Sequence, residues 1–286
     1  MKTRLAFVSL LGIALFTSPC FAADKGQPAP QPRAQLSAQQ IVDKNVTARG
    51  GLKAWHAVQT MRMTGKIDAG RLRTKPPVPL YAMARTRYDL SKIKPEAEGK
   101  VIQLPFVMDL KRPNKMRFEI EFRGDTAVQA YDGTSGWKLR PFLGRHEIEP
   151  FTQDEMKYAA QQQELDGFLI DYAAKGTSIA SEGFEKVDGR DAYKLKLTLK
   201  DGQVRHVWVD AESFLDVKID GTRRLDGRPR PVATYLRDYR SVDGLMLPFK
   251  METSVEGVRG AEDILIQQVE LNPALSDVQF VKPNAN

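Results

Sequence analysis

The chain has 286 residues but a single cysteine, Cys20, and only three histidines. One thiol cannot close an intrachain disulfide, and without a cysteine cluster there is no thiolate zinc or iron–sulfur site. The histidines, His56, His146 and His206, are scattered along the chain. His146-Glu147 starts like a zinc-protease helix, but Pro150 stands where the second histidine belongs. No GxSxG elbow, P-loop or dinucleotide glycine fingerprint occurs. Carboxylates are plentiful, yet nearly all fall in turns or at polar strand positions, where spacing nominates no acid–base pair. The sequence therefore predicts no catalytic residues, no metal site and no cofactor; it does not read as an enzyme.

Long apolar runs are also scarce. The one candidate is N-terminal, where Lys2 and Arg4 precede an uncharged, mostly apolar stretch over residues 5–16. Cys20-Phe21-Ala22 then places small residues at −3 and −1 before Ala23. This is the pattern of a cleaved secretory signal peptide over residues 1–22. The run is shorter than the ~20 residues a spanning helix needs. Pro19, directly before Cys20, argues against a lipoprotein signal. Cleavage after Ala22 would release a soluble, exported chain without any cysteine. A formal net charge of +7 marks the chain as basic. For an exported protein, an anionic membrane surface suits that charge better than nucleic acid, which is not an expected partner.

Residues 23–36 are rich in Pro and Gln and read as a flexible leader. Ser37 starts a helix, with Gln40 placed for a capping box and Ile41, Val42 and Val46 at helical spacing. Gly50-Gly51 breaks it, and a second short helix is expected from Leu52 to Val58. The period then changes from helix to strand. Leu104, Phe106, Met108 and Leu110 alternate; Met116, Phe118, Ile120 and Phe122 alternate against Lys115, Arg117, Glu119 and Glu121. Tyr193, Leu195, Leu197 and Leu199 alternate with Lys194, Lys196, Thr198 and Lys200. One oily and one wet face favour an antiparallel sheet. Further strands are expected near 59–68, 81–90, 126–131, 135–140, 176–186, 203–210, 213–220, 231–240, 245–255 and 262–271. Asp132-Gly133, Asp188-Gly189, Asp201-Gly202 and Asp243-Gly244 supply hairpin turns. The densest basic cluster, Arg223, Arg224, Arg228 and Arg230, reads as flanking a loop at Asp226-Gly227. A helical island is capped by Thr152 and runs to about Leu165; the apolar cluster Phe168, Leu169, Ile170 and Tyr172 follows it. That cluster should bury against the concave face. His206 is in phase with Val204 and Trp208 and reads as a packed histidine. Seven methionines, Met61, Met63, Met83, Met108, Met116, Met246 and Met251, lie in or near strands and suit an adaptable apolar surface.

Two segments carry a family resemblance. Asp109-Leu110-Lys111-Arg112-Pro113-Asn114-Lys115-Met116-Arg117 resembles the strand, Lys-Arg-Pro-Asn, strand element of LolA-type lipoprotein carriers. Tyr131-Asp132-Gly133-Thr134-Ser135-Gly136-Trp137, followed by Pro141-Phe142, is similar to that family's next hairpin, and Asn272-Pro273 through Phe280 and Pro283 to its C-terminal close. The resemblance implies a mainly β protein, with residues 37–286 forming one incomplete antiparallel barrel of eleven or twelve strands wrapped around plug helices. It further implies a periplasmic monomer that binds a lipid or lipoprotein acyl chain and meets an inner- or outer-membrane complex. The same architecture serves RseB/MucB-type envelope sensors, which is the alternative role. On this reading Leu104, Phe106, Met108, Met116, Phe118, Ile120, Phe122 and Trp137 line the cavity, with Phe168, Leu169 and Tyr172 on its lid. Arg112 occupies the position of the family arginine that holds the plug closed. A longer chain and a charged, Pro-containing stretch at 69–100 depart from the pattern.

Overall fold

The computed structural model describes residues 36–71, 101–141, 144–162, 165–225, 228–258 and 261–283. The signal peptide, nearly all of the leader and the strand expected near 81–90 lie outside the described residues. Helices α1 (Ala38–Ala48) and α2 (Leu52–Ala57) open the domain. The Ser37 hydroxyl accepts from the Gln40 amide while the Gln40 side chain accepts from Ser37 N–H, closing the capping box. Gly50 separates the helices at φ +108°, and a Cβ there would stand 2.4 Å from the Gly244 carbonyl oxygen. Only glycine fits that close approach.

Six strands follow: β1 (Thr60–Arg71), β2 (Val101–Lys111), β3 (Lys115–Phe122), β4 (Asp125–Tyr131), β5 (Gly136–Arg140) and β6 (Arg145–Pro150). Helix α3 (Gln153–Gln162) comes next. Seven more strands follow among the described residues: β7 (Ser178–Val187), β8 (Arg190–Thr198), β9 (Val204–Asp210), β10 (Asp216–Leu225), β11 (Arg228–Val242), β12 (Leu245–Val255) and β13 (Ala261–Leu271). All thirteen form one antiparallel sheet in the order β6-β5-β4-β3-β2-β1-β13-β12-β11-β10-β9-β8-β7. It is an open, incomplete barrel built from two meanders that meet where β1 pairs with β13.

Among the described residues the sheet has thirteen strands, where eleven or twelve were expected. Strand β6 opens with Arg145, His146 and Glu147, all exposed, so no apolar face announces it. The basic cluster lies on the paired ends of β10 and β11, Arg223 opposite Arg230 and Leu225 opposite Arg228, on either side of Asp226-Gly227, which fall outside the described residues. At the β4–β5 hairpin the ladder ends at Tyr131 opposite Gly136, leaving four residues in the turn, within which Asp132 N–H donates to the Ser135 carbonyl. By contrast Asp188-Gly189 and Asp243-Gly244 take positive φ at both residues, the mark of a type I′ turn.

Registry keeps the oily positions on one face. Met63 faces Met108, Met108 faces Phe118, and Leu110 faces Met116. Across the second meander Leu195 faces Val207, Val207 faces Ile219, and Ile219 faces Thr234. The helices cover this face. Trp55 of α2 packs with Met61, Phe106, Leu245 and Phe249, and Ile41 and Val42 of α1 pack with Leu195, Leu197, Val207 and Val209. Each such side chain contributes about 1.5–3 kcal/mol by leaving water. The edge strands β6 and β7 are consecutive in sequence. Their connection, residues 151–177, must therefore cross from one edge to the other, and it does so over the apolar face: Leu165 and Ile170 join the first core, Phe168, Leu169 and Tyr172 the second.

Candidate functional site: an apolar cavity and its latch

A cavity of about 680 Å³ remains between the inner sheet face and the covering segments. Its walls draw on nine consecutive strands, from Gln129 on β4 through to Arg205 and Val207 on β9. Trp55, Leu165, Phe168 and Leu169 line it on the helical side. Five methionines, Met61, Met63, Met108, Met116 and Met251, line it. Unbranched thioethers adapt to irregular apolar surfaces. The volume falls within the ~300–1,000 Å³ usual for small-molecule sites.

Among the residues expected at this site, Met108, Met116, Phe118, Phe168 and Leu169 line the cavity. Phe106 and Ile120 face each other on the same sheet face and pack in the adjoining core. Leu104, opposite Ile67, and Phe122, opposite Asp125 at the end of the β3–β4 hairpin, are half-buried outside the lining. Tyr172 packs on the second core and donates its hydroxyl to the Gln39 side chain on α1.

Trp137 is a correction. It pairs with Ala130, which pairs with Arg117, so registry puts it on the face opposite Met116 and Phe118. There it is buried with Val128 and Ala130, stacked by the Arg117 guanidinium at 5.5 Å, and donates Nε1–H to the Phe280 carbonyl at 3.0 Å. The C-terminal segment, with its 3-10 turn at Asp277–Gln279, covers this outer position, so burial there does not report the cavity.

Arg112 stands where β2 ends. Its Nε donates to the Val58 carbonyl at 2.8 Å, and its Nη2 donates to the Trp55 carbonyl at 3.1 Å and to Asp166 Oδ2 at 2.7 Å. One planar guanidinium thus ties the C-terminal end of α2 to the crossing segment. The other Asp166 oxygen accepts from Lys175 at 2.8 Å, and the Asp166 carbonyl accepts from Arg49 Nη1 at 3.0 Å. The Asp166 side chain is only 1% exposed. Burial opposes its ionisation, but the Lys175 and Arg112 bonds prevail and hold the carboxyl below its ordinary range. His56 on α2 meets Asp171 of the same crossing segment at 2.5 Å.

A second polar knot lies deeper. Arg49 stacks over Trp55 at 4.5 Å and reaches Asp216 at 3.6 Å. Asp216 also accepts from Asn45 at 2.9 Å, and its carbonyl accepts from the Tyr239 hydroxyl at 2.9 Å. Complete burial raises the Asp216 carboxyl above its ordinary range, despite Arg49 and Asn45. These two knots join α1, α2, the crossing segment and β10. Sequence reasoning singled out Arg112 but none of Asp166, Arg205 or Asp216. The available signal was phase: Arg205 alternates with Val207 and Val209, a charge in the oily register. His206 occupies the other register, against Trp208, and its Nδ1 lies 2.6 Å from Asp220.

No protein-family model and no curated protein matches the chain by sequence. Solved structures do match its fold. A LolA superfamily protein from Nitrosomonas europaea aligns with a TM-score of 0.53 at 16% identity, covering 87% of this chain and 99% of its own. A domain named for outer-membrane lipoprotein sorting, from Vibrio parahaemolyticus, aligns at 0.51 and 11% identity over 84% and 94%. A DUF1329 family protein from Desulfovibrio piger aligns at 0.51 and 15% identity over 85% and 96%. The chain has a LolA-like fold.

Proposed function

We propose that this LolA-like chain is an exported, non-enzymatic carrier that holds the acyl chain of a lipid or lipoprotein in the cavity beneath its crossing segment. The observation that carries this reading is the cavity itself, with its five methionines and its apolar floor spread over most of the sheet. A bare cavity of this size would be costly to leave open to water. An acyl chain entering it gains about 0.8 kcal/mol per CH₂, so a 16-carbon chain gains on the order of 10 kcal/mol before ordering costs. The latch provides the gate. Its polar bonds hold the crossing segment closed but leave an apolar surface beneath, so entry requires only those few contacts to open.

Titration of delipidated protein with a fluorescent acyl probe tests the proposal. Saturable uptake with one or two chains per molecule is expected. Uptake no greater than that of an unrelated β protein would remove it.

A further inference from the structure

The cavity wall contains a guanidinium that the fold leaves unpaired. Arg205 is 7% exposed. Among the described residues it forms no ion pair, and its Nε is buried without a hydrogen-bond partner. The other charged groups on the lining are occupied or distant. Arg49 is bonded to Asp166 and paired with Asp216, Asp220 is held by His206, and Glu262 lies exposed on β13, four strands away from β9. Arg205 is also held in place. One face stacks on Phe168 at 5.2 Å, and its Nη1 lies so close over Gly221 that a Cβ there would be 2.6 Å away. A rigid, planar, desolvated fork with free N–H groups matches the geometry of a carboxylate or phosphate. The methionine-rich wall of β1–β3 lies along the same cavity, toward the other half of the sheet.

We infer that Arg205 binds the oxyanion of an amphiphilic ligand, a carboxylate or phosphate head group whose chain occupies the methionine-lined end. The inference rests on the carrier reading and adds a charge requirement to it. Phe168 links the two, since it both stacks on Arg205 and belongs to the crossing segment, so a seated head group would secure the closed segment.

The test uses the delipidated chain and three ligands of equal length: a 16-carbon fatty acid, the corresponding alcohol, and a lysophosphatidic acid. Each displaces a fluorescent acyl probe. The acid and the phosphate should bind about 10- to 100-fold more tightly than the alcohol, the worth of a charge-assisted bond in a desolvated site. In Arg205→Gln that ratio should fall to near one, and Arg205→Lys should retain part of it; thermal unfolding verifies that both variants are folded. Equal binding of the three ligands by the unmodified protein, or a preference that survives Arg205→Gln, overturns the inference alone. Failure to bind any of them overturns the carrier reading with it. Inorganic phosphate titrated alone separates the sources. Arg205-dependent phosphate binding supports an oxyanion site that a free anion also fills, and its absence beside head-group selectivity supports recognition of a chain-borne group.

Discussion

Arg112 and Asp166 show how single side chains hold the cover down. Arg112→Ala deletes three donors and leaves the buried Asp166 carboxylate with Lys175 alone. The expected cost is about 1–3 kcal/mol, read from urea unfolding, with faster amide exchange over residues 165–177. Acid should act on the same bond. A carboxyl whose folded pKa is depressed stabilises the fold above its unfolded value and loses that contribution as pH falls through the folded one. For Asp132, at the β4–β5 hairpin, the window is explicit. Burial opposes ionisation, but bonds from the Ser135 and Thr134 backbone and side chains lower the carboxyl from 3.8 to about 2. Its contribution should be intact above 3.8 and lost toward pH 2, and Asp132→Asn should flatten that part of the stability–pH curve. At this scale the sequence was unevenly legible. Arg112 sits inside a recognisable Lys-Arg-Pro-Asn element, whereas Asp166 and Asp216 acquire meaning only when the chain brings Lys175 or Arg49 to them.

Among the elements, α1 was the most legible, because its start depends on local chemistry. Ser37→Ala should cost about 1 kcal/mol, measured by denaturant unfolding, through loss of the cap. Strands with one oily face were legible for the same reason, and β6 was not, because Ile148 is its one large apolar residue and sets no alternation. Trp137 marks the limit of phase. Alternation assigns residues to a face, but the outer face at β3–β5 is itself covered by the C-terminal segment, through Trp137 to Phe280 and Arg117 to the Gln279 carbonyl. A buried aromatic there is no guide to the cavity. Trp137→Ala should cost about 3–5 kcal/mol in stability, while the acyl-probe affinity of the folded fraction stays unchanged.

Across the whole molecule, function follows from the path of the chain. Two meanders joined at β1–β13 put the sheet edges at consecutive strands, so the 151–177 connection has to cross the apolar face. Two short helices and this segment do not fill a face thirteen strands wide, and the remainder is the cavity. The sequence signalled a surplus of oily sheet. It did not signal that the cavity reaches a buried arginine without an ion-pair partner among the described residues, because that depends on Phe168 and Gly221 meeting Arg205 across long chain separations. The central claim is capture of an acyl chain. Native mass spectrometry of the protein purified without detergent, paired with lipid extraction of the same sample, tests it most directly. The account predicts a population heavier than the bare chain by the mass of a chain-bearing lipid, which denaturation releases and the extract identifies. A consistently bare mass, in protein that also refuses acyl probes, would contradict it.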